Sequence, residues 1–254
     1  KADLNYHGSY FDLGYLGNAE DQSPRFLAGL RGDEPYGPKK RCAADFQQIP
    51  GSPIAFQFPE EVFSLFHKGE LIKSHVQSLA KGIFTGDNNR FLRLWFEVSN
   101  DALSTGEWRK YNKAGGYRKW YGVASHAIDW RKNGAELKSF KGAGLSSASN
   151  FGKTHFVWGK LTSGDPSFRF DADEIWFDDA SPAVIEPENY DLCLALLNSN
   201  SARMFLKTFN PTMNLQPGDV SKVPYPVVRE KDHVAAVSRV LCSLSKSDWD
   251  SYET

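Results

Sequence analysis

The chain has 254 residues, of which 41% are hydrophobic and 14% aromatic, so it suits one large domain or two small ones and predicts a real core. No apolar run is long enough to cross a bilayer, which excludes a membrane-spanning helix and a membrane partner. The formal net charge is only −1, but residues 81–169 hold fifteen Lys and Arg against seven Asp and Glu. The middle third is therefore basic and the remainder acidic, which favours a local anion-binding face.

The N-terminal part combines turn signals with little periodicity. Residues 1–45 are rich in Gly, Tyr and Asp, and we predict mostly loop with one short helix near residues 23–30. The next residues predict a turn at Pro50-Gly51 and an extended run over residues 54–58.

Two short helices are expected next. Pro59 suits a first helical turn, so a helix is predicted to continue to about His67 and to end at Gly69. A second helix is predicted over residues 71–79.

Past Gly82 the pattern changes to strands. Runs of β-branched and aromatic residues are separated by Gly, Asn, Ser and Asp. These runs cover residues 91–98, 123–130, 155–161, 168–170, 174–177 and 183–185. The small, polar block at residues 142–153 predicts a mobile loop.

The C-terminal third returns to helices, predicted at residues 192–198 and 202–209. Over residues 210–228, four prolines and Gly218 argue against a helix. An amphipathic helix is predicted over residues 234–244, with its apolar side chains on one stripe that packs the helix back on its own domain or against another part of the polypeptide. That stripe consists of Val234, Val237, Val240, Leu241 and Leu244. The expected fold class is α+β: a twisted, mostly antiparallel sheet with long loops, flanked by helices at its N-terminal side and followed by a helical C-terminal third.

The stretch from Gly82 to Tyr121 is the most informative part of the sequence. It contains GIFTGDNNRFLRLWFEV and ends in GGYRKWYG, so Lys and Arg alternate with Phe, Trp and Tyr while acidic residues are sparse. Such a pattern suits a surface that holds a phosphodiester backbone and contacts bases. The alternative is a Trp-rich core with a solvated basic rim, and composition alone leaves both open.

This stretch supplies the predicted DNA-binding residues. They are Thr85, Asp87, Asn88, Asn89, Arg90, Arg93, Arg109, Lys113, Tyr117, Arg118, Lys119, Trp120 and Tyr121. The candidates for phosphate contact are Arg90, Arg93, Lys113, Arg118 and Lys119. Asn88 and Asn89 carry the amide needed for bidentate adenine recognition, although turn chemistry with a left-handed backbone is an equal alternative. For Trp95 and Trp120, packing in the core is favoured over base stacking.

No catalytic motif is present in these residues. The sequence lacks an F-x-G-x-G loop for S-adenosylmethionine, an N-P-P-[YF] or D-P-P-Y motif for amino-group methylation, a P-x-D…E-x-K nuclease core, a Walker A motif and an H-E-x-x-H motif. Asn210-Pro211-Thr212 lacks the second proline and the aromatic residue that would stack a flipped base. We therefore predict no catalytic residue in this chain.

Metal ligands and histidine catalysts are not expected either. The acids at Asp171, Asp173 and Glu174, and those at Asp178 and Asp179, are predicted to face solvent rather than to hold Mg²⁺. His126 and His155 lie in strand-like runs and are predicted to be packed rather than catalytic.

The three cysteines lie far apart and show no metal-ligand spacing. Cys193 and Cys242 lie in apolar helical patterns, so we predict buried thiols. Free thiols fit a reducing, cytoplasmic compartment.

Several motifs follow one another in a characteristic order: IPGSPIAFQF, GIFTGDNNRFLRLWFEV, YRKWYG followed by AIDW, ALLNS, NPTMNLQPGDVSKVP and SKSDWDSYET. In this order they resemble the C-terminal region of large adenine-specific DNA methyltransferases, foremost the PglX type of BREX phage-defence systems and then type II and type IIG restriction-modification methyltransferases. The resemblance spans residues 46–254. The pieces TGDNNRFLR and KWYG are specific, and the others are supporting. This sequence has Gly122-Val123 where many members have Gly-Asn, and Phe56-Gln57 where they have Tyr-Trp.

The resemblance implies a division of labour within a larger bacterial or archaeal polypeptide. Residues 46–228 would form a DNA target recognition domain, residues 1–45 a loop-rich lead-in from an absent catalytic domain, and residues 229–254 a helical segment that continues further. Implied partners are double-stranded DNA, the catalytic methyltransferase domain and other defence proteins. S-adenosylmethionine is the implied cofactor of the parent enzyme, with none in this chain.

Two other classes of function remain open. A single-stranded nucleic-acid-binding module would stack exposed bases on the same aromatic residues. A protein-interaction domain would use them as a hot spot for other proteins of the defence machinery.

Overall fold

The computed structural model describes residues 3–13, 18–33, 35–146, 148–170 and 175–252. The chain divides into two compact units, Lys1–Glu70 and Leu71–Thr254. The predicted recognition segment 46–228 begins inside the first unit and ends inside the second. The functional division at these residues stays a prediction.

The first unit combines a two-stranded ladder with helices. Its elements are β1 (His7–Tyr10), α1 (Ala19–Arg31), β2 (Lys39–Cys42), α2 (Ala43–Gln47) and α3 (Glu60–Lys68). Strands β1 and β2 pair antiparallel. Helix α1 is longer than predicted because the Asn18 side chain accepts a hydrogen bond from the backbone N–H of Asp21 and so starts the helix earlier.

The helix predicted after Pro59 is confirmed as α3, which ends at Gly69. The extended run predicted over residues 54–58 is wrong. Its backbone turns instead, because the N–H of Ala55 bonds to the carbonyl of Pro53 and that of Phe58 to the carbonyl of Ala55.

Strand β3 (Glu70–Leu71) lies at the boundary between the units. The later strands are β4 (Val76–Ala80), β5 (Ile83–Phe84), β6 (Leu92–Leu94), β7 (Trp108–Asn112), β8 (Trp120–Tyr121), β9 (His126–Asp129), β10 (Gly144–Leu145), β11 (His155–Trp158), β12 (Phe168–Phe170), β13 (Trp176–Phe177), β14 (Ala183–Pro187) and β15 (Pro224–Tyr225). The helices are α4 (Asn88–Phe91), α5 (Asn100–Ser104), α6 (Arg131–Ser139), α7 (Tyr190–Asn198), α8 (Asn200–Phe209), α9 (Pro217–Val220) and α10 (Lys231–Asp250). Short 3-10 turns occupy Ile72–His75, Trp95–Glu97 and Ala148–Asn150.

Two larger sheets organise the second unit, in the orders β4-β14-β11-β12-β8 and β13-β7-β9-β6. Most ladders are antiparallel, whereas β12–β8 and β13–β7 are parallel. The α+β class is confirmed, with the strands divided between mixed sheets. Among the described residues, no helix is both long and apolar enough to cross a membrane.

Two clusters of buried side chains form part of the core of the second unit. One comprises Ile83, Phe91, Leu92, Tyr111, Ile128, Trp130, Leu137 and Trp176, and the other Ala80, Val157, Phe177, Ala183 and Ile185. Several aromatic side chains are therefore buried in the core, which agrees with the alternative prediction of a Trp-rich core. Trp95 and Trp120 are only half-buried, so their predicted core role is only partly met.

Three predicted elements differ from those in the structure. Residues 71–79 form a 3-10 turn and then β4, because four residues of β4 pair with β14. The strand predicted over residues 91–98 is limited to β6. Residues 210–228 contain the short helix α9, whose first residue is Pro217, a position where the missing N–H costs nothing.

The block at residues 142–153, predicted as a mobile loop, has fixed contacts. Strand β10 pairs with β5, and Phe151 stacks on Trp176 with 4.7 Å between ring centroids.

Helix α10 packs with a face that sequence pattern did not identify. Ala235 and Ser238 are buried, whereas Val237, Val240 and Leu244 are 43%, 57% and 63% exposed. Val234 and Leu241 are half-buried, so within this domain the predicted stripe is only partly met. Small side chains let the helix approach its neighbours closely, and Val237, Val240 and Leu244 face outward.

Candidate nucleic-acid interface

Residues Thr85–Arg93, hereafter the capped turn, form a short connection held by its own side chains. Thr85 is 2% exposed and donates its hydroxyl to the Asn88 Oδ1 over 2.6 Å. Gly86 has φ of +71°, and a Cβ there would lie 2.4 Å from the carbonyl oxygen of Gly142. Only glycine fits this position.

Helix α4 begins within the capped turn. Asp87 precedes it and accepts a hydrogen bond from the backbone N–H of Arg90, which caps the helix. At the other end, Phe91 and Leu92 are buried in the core. The turn is therefore fixed at both ends.

Between these fixed ends, the polar side chains face outward. Asn88, Asn89, Arg90 and Arg93 are all exposed. Both asparagines are helical in α4, so the alternative of a left-handed backbone is wrong for them.

A cleft of about 400 Å³ lies beside the capped turn. It is lined by Asn88, Asn89, Leu92, Arg93, Leu94, Glu97, Lys113 and His126. Four of the predicted DNA-binding residues therefore meet in one place. Glu97 and His126 were missed: the pairing of β6 with β9 brings His126 to the cleft, and a 3-10 turn after β6 brings Glu97 there.

The cleft mixes donors with acceptors. The Lys113 ammonium lies 2.6 Å from Asp178 Oδ2, so its charge is neutralised. Glu97 accepts a hydrogen bond from the backbone N–H of Leu94 over 2.7 Å. Arg93 donates to the backbone carbonyls of Asn89 and Leu92, and its charge also helps to lower the pKa of the Asp129 carboxyl, although no direct ion pair joins the two among the described residues. This mixture suits base edges better than a phosphate alone.

His126 adds a neutral imidazole to the cleft. Burial, together with the nearby Lys113 ammonium, lowers the pKa of His126 below its ordinary value. The ring is half-buried and contacts the Ser125 hydroxyl over 3.0 Å. At neutral pH the ring has one donor and one acceptor nitrogen, of which Nδ1 is engaged by Ser125.

A row of cations crosses the neighbouring sheet face. Arg93 on β6 and Lys110 on β7 both pair with Ala127 on the intervening β9. Directly paired residues point to the same side of a sheet, so the two cations flank Ala127 on one face. Lys110 is exposed, and no ion pair engages it in the part of the chain that the structure describes. This row can bind an anion.

Two further predicted residues lie near these elements. Arg90 donates to Glu136 through Nε and Nη2, at 2.9 and 2.7 Å, and both side chains are about half exposed. Such surface pairs are weak, so a phosphate can compete with Glu136. Arg109 is half-buried, with its guanidinium packed over Gly106.

The residues Arg118–Val123, hereafter the junction segment, are instead turned toward helix α10. Arg118 donates to the carbonyl of Ser245 and to Asp248, both over 2.8 Å. Its guanidinium also lies 5.1 Å from the ring centre of Trp249. This cation is used within the domain.

The next three residues also contact helices of the same domain. Lys119 donates to the carbonyl of Asn198 over 2.7 Å, and burial lowers the pKa of its ammonium. The backbone carbonyl of Trp120 accepts from the Cys242 thiol, and the Tyr121 ring lies 5.2 Å from the Lys246 ammonium. DNA contact by Arg118, Lys119, Trp120 and Tyr121 stays a prediction.

The backbone of the junction segment is constrained. Gly122 has φ of +111°, and a Cβ there would lie 2.9 Å from the Trp249 ring. Trp120 and Val123 have φ of +77° and +78°, in the left-handed region. A β-branched residue is strained there, whereas asparagine, which many members of the resembled family have at position 123, is tolerated.

Tyr117 lies elsewhere, at a second cleft of about 580 Å³. The lining is Gly115, Gly116, Tyr117, Gly159, Leu161, Thr162, Ser163, Gly164, Asp165 and Ser167. The Asp165 carboxylate is already paired with Arg203 and Lys207, over 2.8 and 2.6 Å. This carboxylate is therefore used in ion pairs within the domain.

The predicted solvent exposure of Asp178 is wrong. It is 2% exposed and accepts hydrogen bonds from the Tyr111 hydroxyl and the Lys113 ammonium. Asp179 pairs with Lys160. Among the described residues, no cluster of His, Cys, Asp and Glu could hold a metal ion, and the acids at 171–174 lie outside those residues.

Three other predictions concern single buried residues. His155 is 6% exposed and packed against Phe177, as expected. Cys193 is fully buried, and burial raises the pKa of its thiol to about 11. Cys242 is only half-buried, so its prediction is partly met.

The chain is homologous to adenine-specific methyltransferases over most of its length. It is 30% identical over 265 aligned residues to the adenine-specific methyltransferase PglX of Lacticaseibacillus casei (strain Zhang), which covers 97% of this chain and 22% of that protein. It is 31% identical over 226 residues to the adenine-specific methyltransferase BrxX of Escherichia coli O9:H4 (strain HS), covering 85% of this chain and 18% of that protein. The chain thus spans about a fifth of the length of these curated relatives. No protein-family model matches it. The resemblance to PglX-type proteins is confirmed.

Proposed function

We propose that this chain recognises a specific sequence in double-stranded DNA, as the target recognition part of an S-adenosylmethionine-dependent adenine-specific DNA methyltransferase that serves phage defence or restriction-modification. The observation that carries the proposal is the row of Arg93 and Lys110 beside the cleft at the capped turn. Two cations that form no direct ion pair among the described residues stand next to an amide that can read bases.

The proposed roles follow from the chemistry of each group. Arg93 and Lys110 bind phosphate oxygens, and Arg90 joins them when it leaves Glu136. Asn89, Glu97 and His126 face base edges, because together they offer donors and acceptors, and Asn88 holds the turn through Thr85. The bound duplex is thereby positioned for a methyltransferase domain.

A methyltransferase cannot reach an adenine inside the duplex, so the target base must be extruded while the rest of the site is held. This chain holds the site. S-adenosylmethionine, bound by the parent enzyme, supplies the methyl group. We propose that the protein acts in the cytoplasm of a bacterial or archaeal cell, where the DNA would lie.

The experiment is a fluorescence anisotropy titration of labelled duplex DNA with the 254-residue chain at several salt concentrations. Affinity should fall linearly with salt on logarithmic axes. The Arg93→Ala/Lys110→Ala variant should reduce that slope by about 2. The matched control is Arg229→Ala/Lys231→Ala, which removes two exposed cations outside the basic stretch. No binding by the wild type, or equal loss in both variants, would overturn the proposal.

The same titration separates the nucleic-acid classes. An unlabelled duplex should displace the labelled one at lower concentration than a single strand of the same sequence. The opposite order would favour the single-stranded module.

A second candidate function, protein contact, is favoured by the outer stripe of α10. Val237, Val240 and Leu244 are spaced as one helical face and are exposed. We propose that this face contacts the methyltransferase domain of the same polypeptide, since three side chains expose too little area for a stable dimer of this chain. Replacing all three by Ser should weaken binding to that domain and leave DNA affinity unchanged. A variant that elutes as a smaller species than the wild type in size-exclusion chromatography would show self-association instead.

A further inference from the structure

The two adjacent asparagines of the capped turn differ in what their amides have free. A carboxamide that recognises adenine in the major groove accepts from the N6 amino group and donates to N7. Both its oxygen and its NH₂ group must therefore be available. The sequence treats Asn88 and Asn89 alike in this respect, but the structure does not.

Asn88 has its oxygen in use. Its Oδ1 accepts the hydroxyl of Thr85 over 2.6 Å. Thr85 is 2% exposed, so its hydroxyl has little access to water, and loss of this acceptor would leave a buried donor unpaired. With that bond in place, Asn88 Oδ1 keeps one lone pair and its amide is held toward Thr85, so Asn88 is less free than Asn89 to form the two-bond pair that adenine requires.

Asn89 has its whole amide free. It is exposed, and within the described ranges no hydrogen bond engages its side chain. Its backbone is nevertheless held, because Arg93 Nη1 donates to the Asn89 carbonyl oxygen over 2.7 Å. The cap at Asp87 and the buried Phe91 fix the same turn from both sides. A free group on a fixed backbone is what precise recognition needs.

We propose that Asn89 reads an adenine in the major groove of the target duplex, and that Asn88 is a positioning residue that ties the turn to Thr85. This assignment rests on the proposed function. Arg93 lies in the same cleft, so it can bind phosphate while it holds Asn89 in place.

The test is selection of preferred sites from a randomised duplex library by the wild type, Asn89→Ala and Asn88→Asp. Asp keeps an acceptor for Thr85, so this control should fold. The wild-type site should contain an adenine whose preference falls on the order of tenfold to hundredfold in Asn89→Ala and is retained in Asn88→Asp. Urea unfolding of all three proteins checks that the turn is intact.

A second measurement probes the atoms. Replacing the selected adenine by 7-deazaadenine removes N7, so wild-type affinity should fall while Asn89→Ala binds both duplexes equally. Retained preference in Asn89→Ala, or a wild-type site without such an adenine, would overturn the assignment. If the wild type selects no sequence and shows no salt-dependent binding, the proposed function itself fails, which is a different outcome.

Discussion

The capped turn and the junction segment are alike in sequence and opposite in structure. Each places Arg beside aromatic residues, and each was predicted to touch DNA. In the capped turn the buried residues are apolar and the polar ones face outward. In the junction segment Arg118 and Lys119 donate to backbone carbonyls of α10 and α7. A basic-aromatic pattern can therefore belong either to an exposed surface or to a segment that packs against other helices of the domain. Only the partners of the Lys and Arg side chains distinguish the two cases.

The largest expected effect is on the packing of the junction segment against α10. Gly122→Ala should destabilise the protein by about 2–4 kcal/mol, because the new Cβ meets the Trp249 ring in a left-handed backbone. Urea unfolding measures this loss. Gly116→Ala is the matched control, since a Cβ there meets nothing within 4 Å, and it should change stability by less than about 0.5 kcal/mol. Equal stability of both variants would mean that α10 does not pack on this segment.

Arg118→Ala should act next most strongly. It removes charged hydrogen bonds to Ser245 and Asp248, at a cost of about 1–2 kcal/mol in unfolding free energy. Because the side chain is used internally, duplex affinity at a temperature where the variant is folded should stay within about twofold of the wild type. A loss of duplex affinity without a loss of unfolding free energy would show that Arg118 contacts DNA rather than α10.

The capped turn could be predicted from sequence because its interactions are local. The cap by Asp87 joins residues three positions apart, as does the bond from Thr85 to Asn88. Helix-start rules describe such spacings directly. The exposed side chains of the turn follow from the same rules.

The junction segment could not be predicted because its partners are remote. Arg118 and Ser245 are 127 residues apart, and no pattern near either residue indicates the other. The stripe on α10 is only partly buried for a related reason. Pattern rules place Val and Leu inside, whereas here Ala235 and Ser238 are buried because their small size permits close packing.

A third prediction concerns backbone strain in the junction segment. Val123 has φ of +78°, which costs a β-branched residue on the order of 1 kcal/mol or more. Val123→Asn should therefore stabilise the protein by about 1 kcal/mol, read as a higher urea midpoint with an unchanged slope. Val123→Thr keeps the β-branch and should gain nothing. A lower urea midpoint for Val123→Asn would show that the packing of the valine side chain stabilises the protein by more than the backbone strain costs.

The smallest expected effect is pH-dependent and concerns the cleft. Burial and Lys113 lower the pKa of His126, so the unfolded chain binds a proton there more readily than the folded one. Stability from this group is therefore fully present above about pH 6.5 and declines as pH falls through the lower folded value. His126→Gln should flatten the pH dependence of the urea midpoint below pH 6.5. An unchanged pH profile would place the imidazole in a water-like environment.

The central claim, that the capped turn faces DNA while the junction segment faces α10, is tested most directly by arginine labelling with phenylglyoxal, with and without bound duplex. Mass spectrometry then gives the modification of each arginine. Arg93 is exposed and should react readily alone but be protected by DNA, whereas Arg118, whose side chain is 23% exposed, should react slowly in both cases. Protection of Arg118 without protection of Arg93 would contradict the account.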